Sequence, residues 1–433
     1  MTTYSRTQTN DRNRQRKNKR KRRLMALNLA MLACIVAVAA IIWMVRRDEP
    51  ATAGKEASGP SASASADATS TPVDSGGTDE PAGTAESEPD GEEAGASAGT
   101  DEDDAEAGGD GAEATEGDGQ VTLALVGDIL PAARVLDYMN QFGFDYPFRE
   151  TSGLLQAADI AAGNLETSIT TRGTPEEDKQ YVYRAPQETL APIKEAGFDF
   201  LSLANNHTLD YGWEGLSDTM DALDDADLVH AGAGIDDREA YTPAYIDSKG
   251  MTVGFVGLTR VVPDTSWKAD KNNPGLAEAY STARAVAAIK EAREHADVVV
   301  VMVHWGEERK DLPNEFQKSL AYAFVDAGAD LVVGSHPHVL QGFESYKGKW
   351  IAYSLGNFVF PGMSPPTTAE TGILTATCKP GGDCSLRFAP MISKLAQPVP
   401  MEAETGKALL ARLSSISFGA KIEEDGTIVA SSP

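Results

Sequence analysis

Downstream of residue 120, five apolar runs each stop at a residue able to hold a metal ion or a proton. Residues 121–126 end at Gly127-Asp128, and 159–162 at Gly163-Asn164-Leu165-Glu166. Residues 198–203 end at Asn205-Asn206-His207, with Asp210-Tyr211-Gly212 just beyond. Residues 297–303 end at His304-Trp305-Gly306, and 331–333 lead into Gly334-Ser335-His336-Pro337-His338. Such short, mostly apolar runs predict strands buried on both faces. Helical patterns separate them at 186–196, 216–223, 281–295 and 316–327; the 281–295 stretch opens on a serine and carries a stripe at Ala285, Ala288 and Ile289. Strands alternating with helices place the domain in the α/β class, which puts its chemistry at the carboxyl ends of the strands.

The His-Pro-His run is the densest of these ends. Alternate residues of extended chain point the same way. Proline restricts the residue before it to an extended conformation, so His336 and His338 are expected to converge. One strand-end Asp, or one Asn-Asn-His, is more often a turn cap or a loop than a ligand. Here four of the six histidines fall at strand ends, and the other two, His230 and His295, lie in contexts that assign them no role. Asp, Glu, Asn and His without cysteine suit Zn, Mn or Fe in an N/O site. The donors outnumber what one tetrahedral ion needs, so one or two divalent ions are expected, a pair being bridged by a carboxylate.

The rest of the chain fits a domain held at a membrane. Residues 24–45 carry no charge over 22 positions, enough for a helix of about 33 Å to cross a bilayer core. Ten basic residues precede this span and Arg46 and Arg47 follow it, which places the N-terminus in the cytoplasm and the main domain outside. A cleaved signal peptide fits less well, because the span is long and no small-x-small site closes it. Residues 48–120 hold 21 acids and one lysine, with almost nothing to bury. They read as a disordered, self-repelling spacer. The expected organisation is a basic tail (1–23), an anchor (24–45), an acidic linker (46–120), a folded domain (121–400) and a C-terminal helix with a loose polar tail (401–433). From 121 onward the net charge is −18, which argues against nucleic acid as a partner. Cys378 and Cys384 flank a Lys-Pro-Gly-Gly-Asp turn between two β-like runs, a hairpin disulfide in an oxidising exterior.

In combination and order, these motifs, together with Ser354-Leu355-Gly356-Asn357-Phe358, resemble the CapA family of poly-γ-glutamate capsule synthesis proteins, related to the calcineurin-like metallophosphoesterases. The resemblance covers about residues 121–362. It implies a four-layer αββα sandwich with a metal site at the strand ends. It assigns Asp128, Glu166, Asn206, His304, His336 and His338 as metal ligands, and His207 with Asp210 as the catalytic pair. Asn164, Asn205 and Asn357 would contact substrate. The chain departs from the phosphoesterase pattern twice. Ile129-Leu130 replaces the histidine of Asp-x-His, and Asn164-Leu165-Glu166 replaces the second aspartate motif, leaving Glu166 to bridge. The implied partners are an anionic polymer such as poly-γ-glutamate, capsule synthetase subunits and the membrane. Three roles remain open at this point: a metal-dependent hydrolase of a phosphoester or γ-glutamyl bond, a metal-using accessory that holds an anionic polymer, and a non-catalytic scaffold. A basic patch from Arg134, Arg184, Arg260 and Lys268 would help the second.

Overall fold

The computed structural model describes residues 119–431. The expected basic tail, membrane span and nearly all of the acidic linker lie outside them; among the described residues no helix is long and apolar enough to cross a membrane. In chain order the strands are β1 (Val121–Ile129), β2 (Ile160–Leu165), β3 (Ser168–Ile169), β4 (Arg184–Ala185), β5 (Phe198–Ser202), β6 (Val229–Ala231), β7 (Ala233–Gly234), β8 (Ala244–Ser248), β9 (Met251–Thr259), β10 (Gly275–Leu276), β11 (Val298–His304), β12 (Leu331–Ser335), β13 (Phe343–Tyr346), β14 (Lys349–Ala352), β15 (Asn357–Val359), β16 (Glu370–Cys378), β17 (Cys384–Lys394), β18 (Gln397–Pro400), β19 (Ala420–Ile422) and β20 (Thr427–Ala430). A ten-stranded sheet has the order β19-β20-β17-β16-β1-β2-β5-β6, with β15 beside β1 and β18 beside β17. A six-stranded sheet has the order β13-β14-β12-β11-β9-β8. The central strands β1, β2, β5 and β6 run parallel, as do β9, β11, β12 and β14.

Alternation along the strands decides the layering. Val121, Leu123 and Leu125 of β1 share one core with Val253 and Phe255 of β9 and Val298 and Val300 of β11, so the two sheets face each other. Phe200 and Phe255 stack across that interface, ring centroids 4.3 Å apart. The intervening residues Ala124 and Val126 face a second core with Met220 and Leu223 of helix Gly212–Asp225. Val299, Val301 and Val303 face a third with helices Thr282–His295 and Glu315–Ala327. The α/β class holds, and helices cover the outer face of each sheet. The predicted stripe Ala285, Ala288 and Ile289 is buried. Its opening serine, Ser281, occupies the cap position without a side-chain bond, whereas Asn314 and Gln317 close a full capping box on the next helix.

One expectation about the C-terminal part changes. Residues 420–430 are not loose: β19 and β20 extend the large sheet, Leu386 pairing with Ile428. The two strands are only three and four residues long, and Ile422 of β19 and Ile428 of β20 reach the inter-sheet core. The disulfide Cys378–Cys384 forms at the end of the β16–β17 hairpin, as the turn sequence suggested.

Candidate metal centre at the strand ends

Register brings the site together. Asp128 pairs with Asn164 on one side and Asn357 on the other, Asn164 pairs with Ser202, and His304 pairs with Ser335. Each run therefore stops at the same height, and the loop after each strand carries its donors over the sheet edge. Asp128 sits at a break in the β1–β2 register that re-aims its side chain. Gly127 is required just before it, because a Cβ there would lie 1.9 Å from the Gly356 carbonyl oxygen. Gly334 is likewise pressed against the Trp305 indole, which donates to the Tyr353 carbonyl at 2.9 Å.

The His-Pro-His geometry differs from the extended pair expected. β12 ends at Ser335, and both histidines sit at positive φ, 95° for His336 and 56° for His338. Each such backbone costs on the order of 1–3 kcal/mol. Surrounding bonds hold the turn: the His336 N–H donates to Asp128 Oδ2 at 3.3 Å, and the Arg309 N–H to the Pro337 carbonyl at 2.7 Å. The imidazoles converge by a strained turn, not by strand alternation. Ring centroids lie 5.8 Å apart for His336 and His338, and 4.7 Å for His304 and His336.

Asp128, Glu166 and His338 each offer a donor atom within 4.8 Å of the others, all buried. His304 Nδ1 is 3.8 Å from Asp128, and its Nε2 is 3.7 Å from Glu166 and 2.8 Å from Asn206 Oδ1. That last spacing suits neighbouring ligands on an ion bonded at about 2.0–2.2 Å. Both carboxylate oxygens of Glu166 and Nδ1 of His336 are buried with no hydrogen-bond partner among the described residues. An orphaned carboxyl in a dry site is costly unless something binds it. These donors fit a divalent cation in chemistry and in unmet demand.

Electrostatics divide the acids. Burial and the neighbouring Asp128 push Glu166 well above the usual carboxylate range. Burial also pulls Asp128 upward, but the facing His338 and His304 outweigh it and hold Asp128 well below that range. Burial drives His304 well down and His336 down to about 3, so both present neutral nitrogens. His338 is raised despite its burial, because Asp128 and Asn357 favour its charged form. Asn357 Oδ1 lies 2.9 Å from His338 Nδ1, and the Asn357 amide group donates to the Thr368 carbonyl at 3.1 Å. In this orientation the Nδ1–H of His338 faces Asn357 Oδ1, and the same nitrogen lies 3.6 Å from Asp128 Oδ2.

The three asparagines expected at the substrate bond mainly within the site. Asn164 donates to Asp128 at 2.8 Å and accepts from Asn205 at 3.0 Å. Asn205 also donates to the Leu165 carbonyl and accepts from the His207 N–H and the Thr208 hydroxyl. Asn357 sets the tautomer of His338. In this geometry their amides bond Asp128, the His207 N–H and His338. His207 and Asp210 come together as expected, Nδ1 to Oδ2 at 2.7 Å.

Sequence reasoning missed Lys179. Its ammonium, mostly buried, contacts Asp210 Oδ1 at 2.5 Å, His207 Nδ1 at 3.1 Å and the Asn206 carbonyl. It sits in the loop between β3 and β4, where no periodicity marks it. The Tyr183 ring lies tilted against His207, centroids 4.6 Å apart, and its backbone N–H donates to Asp210. Ser335 Oγ lies 2.9 Å from His304 Nδ1. Of the suggested basic patch, Arg184 lies over the Tyr211 ring, and Arg260 and Lys268 share Tyr280.

Comparison with known proteins gives this site a family. The capsule biosynthesis protein CapA of Bacillus anthracis is 36% identical over 294 residues, 66% of this chain and 71% of that protein. The PGA biosynthesis protein CapA of Bacillus subtilis is 34% identical over 319 residues, 72% of this chain and 83% of that protein. Among solved structures, the sulfate thiohydrolase SoxB of Thermus thermophilus overlaps 68% of this chain and 60% of its own at 13% identity and a TM-score of 0.36, too partial to bear on activity. The family profile for the bacterial capsule synthesis protein PGA_cap matches residues 122–362, a span that holds every donor described above. The chain belongs to the bacterial capsule synthesis protein family PGA_cap.

Proposed function

We propose that this protein acts in poly-γ-glutamate capsule synthesis or export, through a divalent cation held by Asp128, Glu166, Asn206, His304, His336 and His338. The observation that carries the metal reading is the orphaned Glu166 carboxyl, buried among histidine and carboxylate donors. Zn, Mn and Fe match that donor set, and Glu166 would be the carboxylate left to bridge if two ions bound. A bound ion supplies positive charge for an anionic group and lowers the pKa of bound water. The capsule reading is supported by what the two Bacillus relatives are named for.

A second reading, hydrolysis of a phosphoester or γ-glutamyl bond, is favoured by the His207–Asp210 pair. Asp210 accepts from the Tyr183 N–H and touches His207 and Lys179, so it holds the imidazole in one orientation. Burial lowers the pKa of His207, which keeps its ring neutral near pH 7 and makes it a stronger acid once protonated. The acidic domain needs the cation to approach a polyacid at all, and the same cation would serve hydrolysis or holding.

The span 24–45 would anchor the chain with its N-terminus in the cytoplasm and the folded domain outside. The charge asymmetry around the span and the Cys378–Cys384 bridge favour an oxidising exterior. Capsule synthetase subunits are the expected protein partners.

Metal analysis of the full-length chain tests the centre, with His336→Ala and His207→Ala assayed on a generic phosphodiester and on poly-γ-glutamate. Loss of metal in His336→Ala, with capsule lost in both variants, is expected. No bound metal, together with unchanged capsule in both, would sink the reading. Turnover abolished by His207→Ala selects the hydrolase; capsule loss without any turnover selects the holder.

A further inference from the structure

Arg260 follows β9 directly, and its backbone N–H donates to the carbonyl of His304 at 2.8 Å. The side chain leaves this strand end between two aromatic rings. Its guanidinium carbon lies 4.1 Å from the Phe316 ring centre and 4.7 Å from that of Tyr280. Lys268 places its ammonium 4.4 Å from the same Tyr280 ring. Phe316 is 60% exposed and Tyr280 44%. Tyr280 is fixed at both ends: its N–H donates to Glu278 at 2.5 Å and its hydroxyl accepts from the Val262 N–H at 3.4 Å.

Neither cation makes an ion pair among the described residues. In a chain with 65 acids against 38 basic residues, unpaired cations gathered on one ring are not the default. Two like charges on one platform repel, and an arriving anion would offset that repulsion. A guanidinium placed against these rings keeps its planar fork of N–H donors, which can bind a carboxylate through two parallel bonds. Exposed aromatic faces beside it match methylene groups. A chain that alternates carboxylates with short methylene runs meets both needs, whereas a polyphosphate offers nothing to the rings.

We propose that Arg260 and Lys268, stacked on Tyr280 and Phe316 beside the His304 strand end, form a docking subsite for carboxylates of a γ-linked glutamate chain and lead it to the metal centre. The subsite rests on the capsule reading for the identity of its ligand.

The test uses full-length protein loaded with Mn²⁺ and a labelled γ-glutamate oligomer, read by fluorescence anisotropy at several salt concentrations. Arg260→Gln/Lys268→Gln is expected to weaken binding at least about tenfold, the loss of one charge-assisted contact, and to flatten the salt dependence. Metal content should stay unchanged. The control Lys347→Gln/Lys421→Gln removes the same charge far from the rim, from pairs with Asp326 and Glu423, and should bind within about twofold of the wild type. Phe316→Ser should weaken the oligomer while sparing the metal. Equal binding by wild type and the Arg260/Lys268 variant overturns the subsite and leaves the capsule reading standing. Failure of the wild type to bind the oligomer removes the capsule reading itself. Inorganic polyphosphate competing as well as the oligomer overturns the choice of a polycarboxylate.

Discussion

Glu166→Gln is the most informative single change. The two side chains share a shape, and glutamine is neutral at every pH. Without metal, Glu166 is buried with both oxygens unpartnered among the described residues, and burial beside the ionised Asp128 holds its carboxyl well above the ordinary 4.5. The folded state therefore keeps a proton that the unfolded chain gives up once pH passes 4.5. A raised carboxyl contributes stability fully below its unfolded pKa and loses it as pH rises, by about 1.4 kcal/mol per pH unit until the folded pKa is reached. Glutamine has no such loss. In EDTA the variant should match the wild type near pH 4.5 and exceed it by about 1–3 kcal/mol at pH 7. With metal the order reverses. At a thousand times its Kd the metal stabilises the wild type by about 4.1 kcal/mol, more than the variant's lead, and the variant gains little. Urea unfolding followed by tryptophan fluorescence, with and without EDTA across that pH range, measures both arms. A variant less stable than the wild type at pH 7 in EDTA, or an advantage that does not change with pH, would refute the reasoning.

Further expectations concern the surrounding frame. Asn357→Leu should cost about 10–100-fold in metal affinity with small loss of stability, because His338 loses the acceptor that sets its tautomer; calorimetric metal titration measures it. Lys179→Met should destabilise by about 3 kcal/mol, since Asp210 is fully buried and keeps only His207 and the Tyr183 N–H. Adding Asp210→Asn should recover much of that loss, and a double-mutant cycle in urea would find no coupling if the pair were incidental. Gly127→Ala should cost about 2–3 kcal/mol and lower metal affinity, because the new methyl meets the Gly356 carbonyl and shifts Asp128; a stable, metal-competent variant would contradict the close approach.

Much of the site was legible before any coordinates. Apolar runs stopping at Asp128, Glu166, His207, His304 and His338 announce strand ends, because burial on both faces demands such runs and a ligand-type residue interrupts them. Local chemistry also announced the β16–β17 hairpin and the helix stripe at Ala285, Ala288 and Ile289. Other features were not legible. Lys179 lies in a loop with no period to place it, and only the fold brings it to His207 and Asp210. β20 reads as loose tail because it is four residues long and only Ile428 is buried.

By itself the sequence determined which residue types gather at the strand ends and in what order, since strand burial and chain direction follow from local pattern. The tertiary structure decided how they meet. The His-Pro-His turn takes positive φ at both histidines, against the local preference for extended chain, because the Asp128 carboxylate and the Arg309 N–H bond the turn into place. Glu166 becomes an orphaned carboxyl only when two sheets and their loops close over it. Such strain and unmet demand are sums over contacts distant in the chain, and no local pattern carries them.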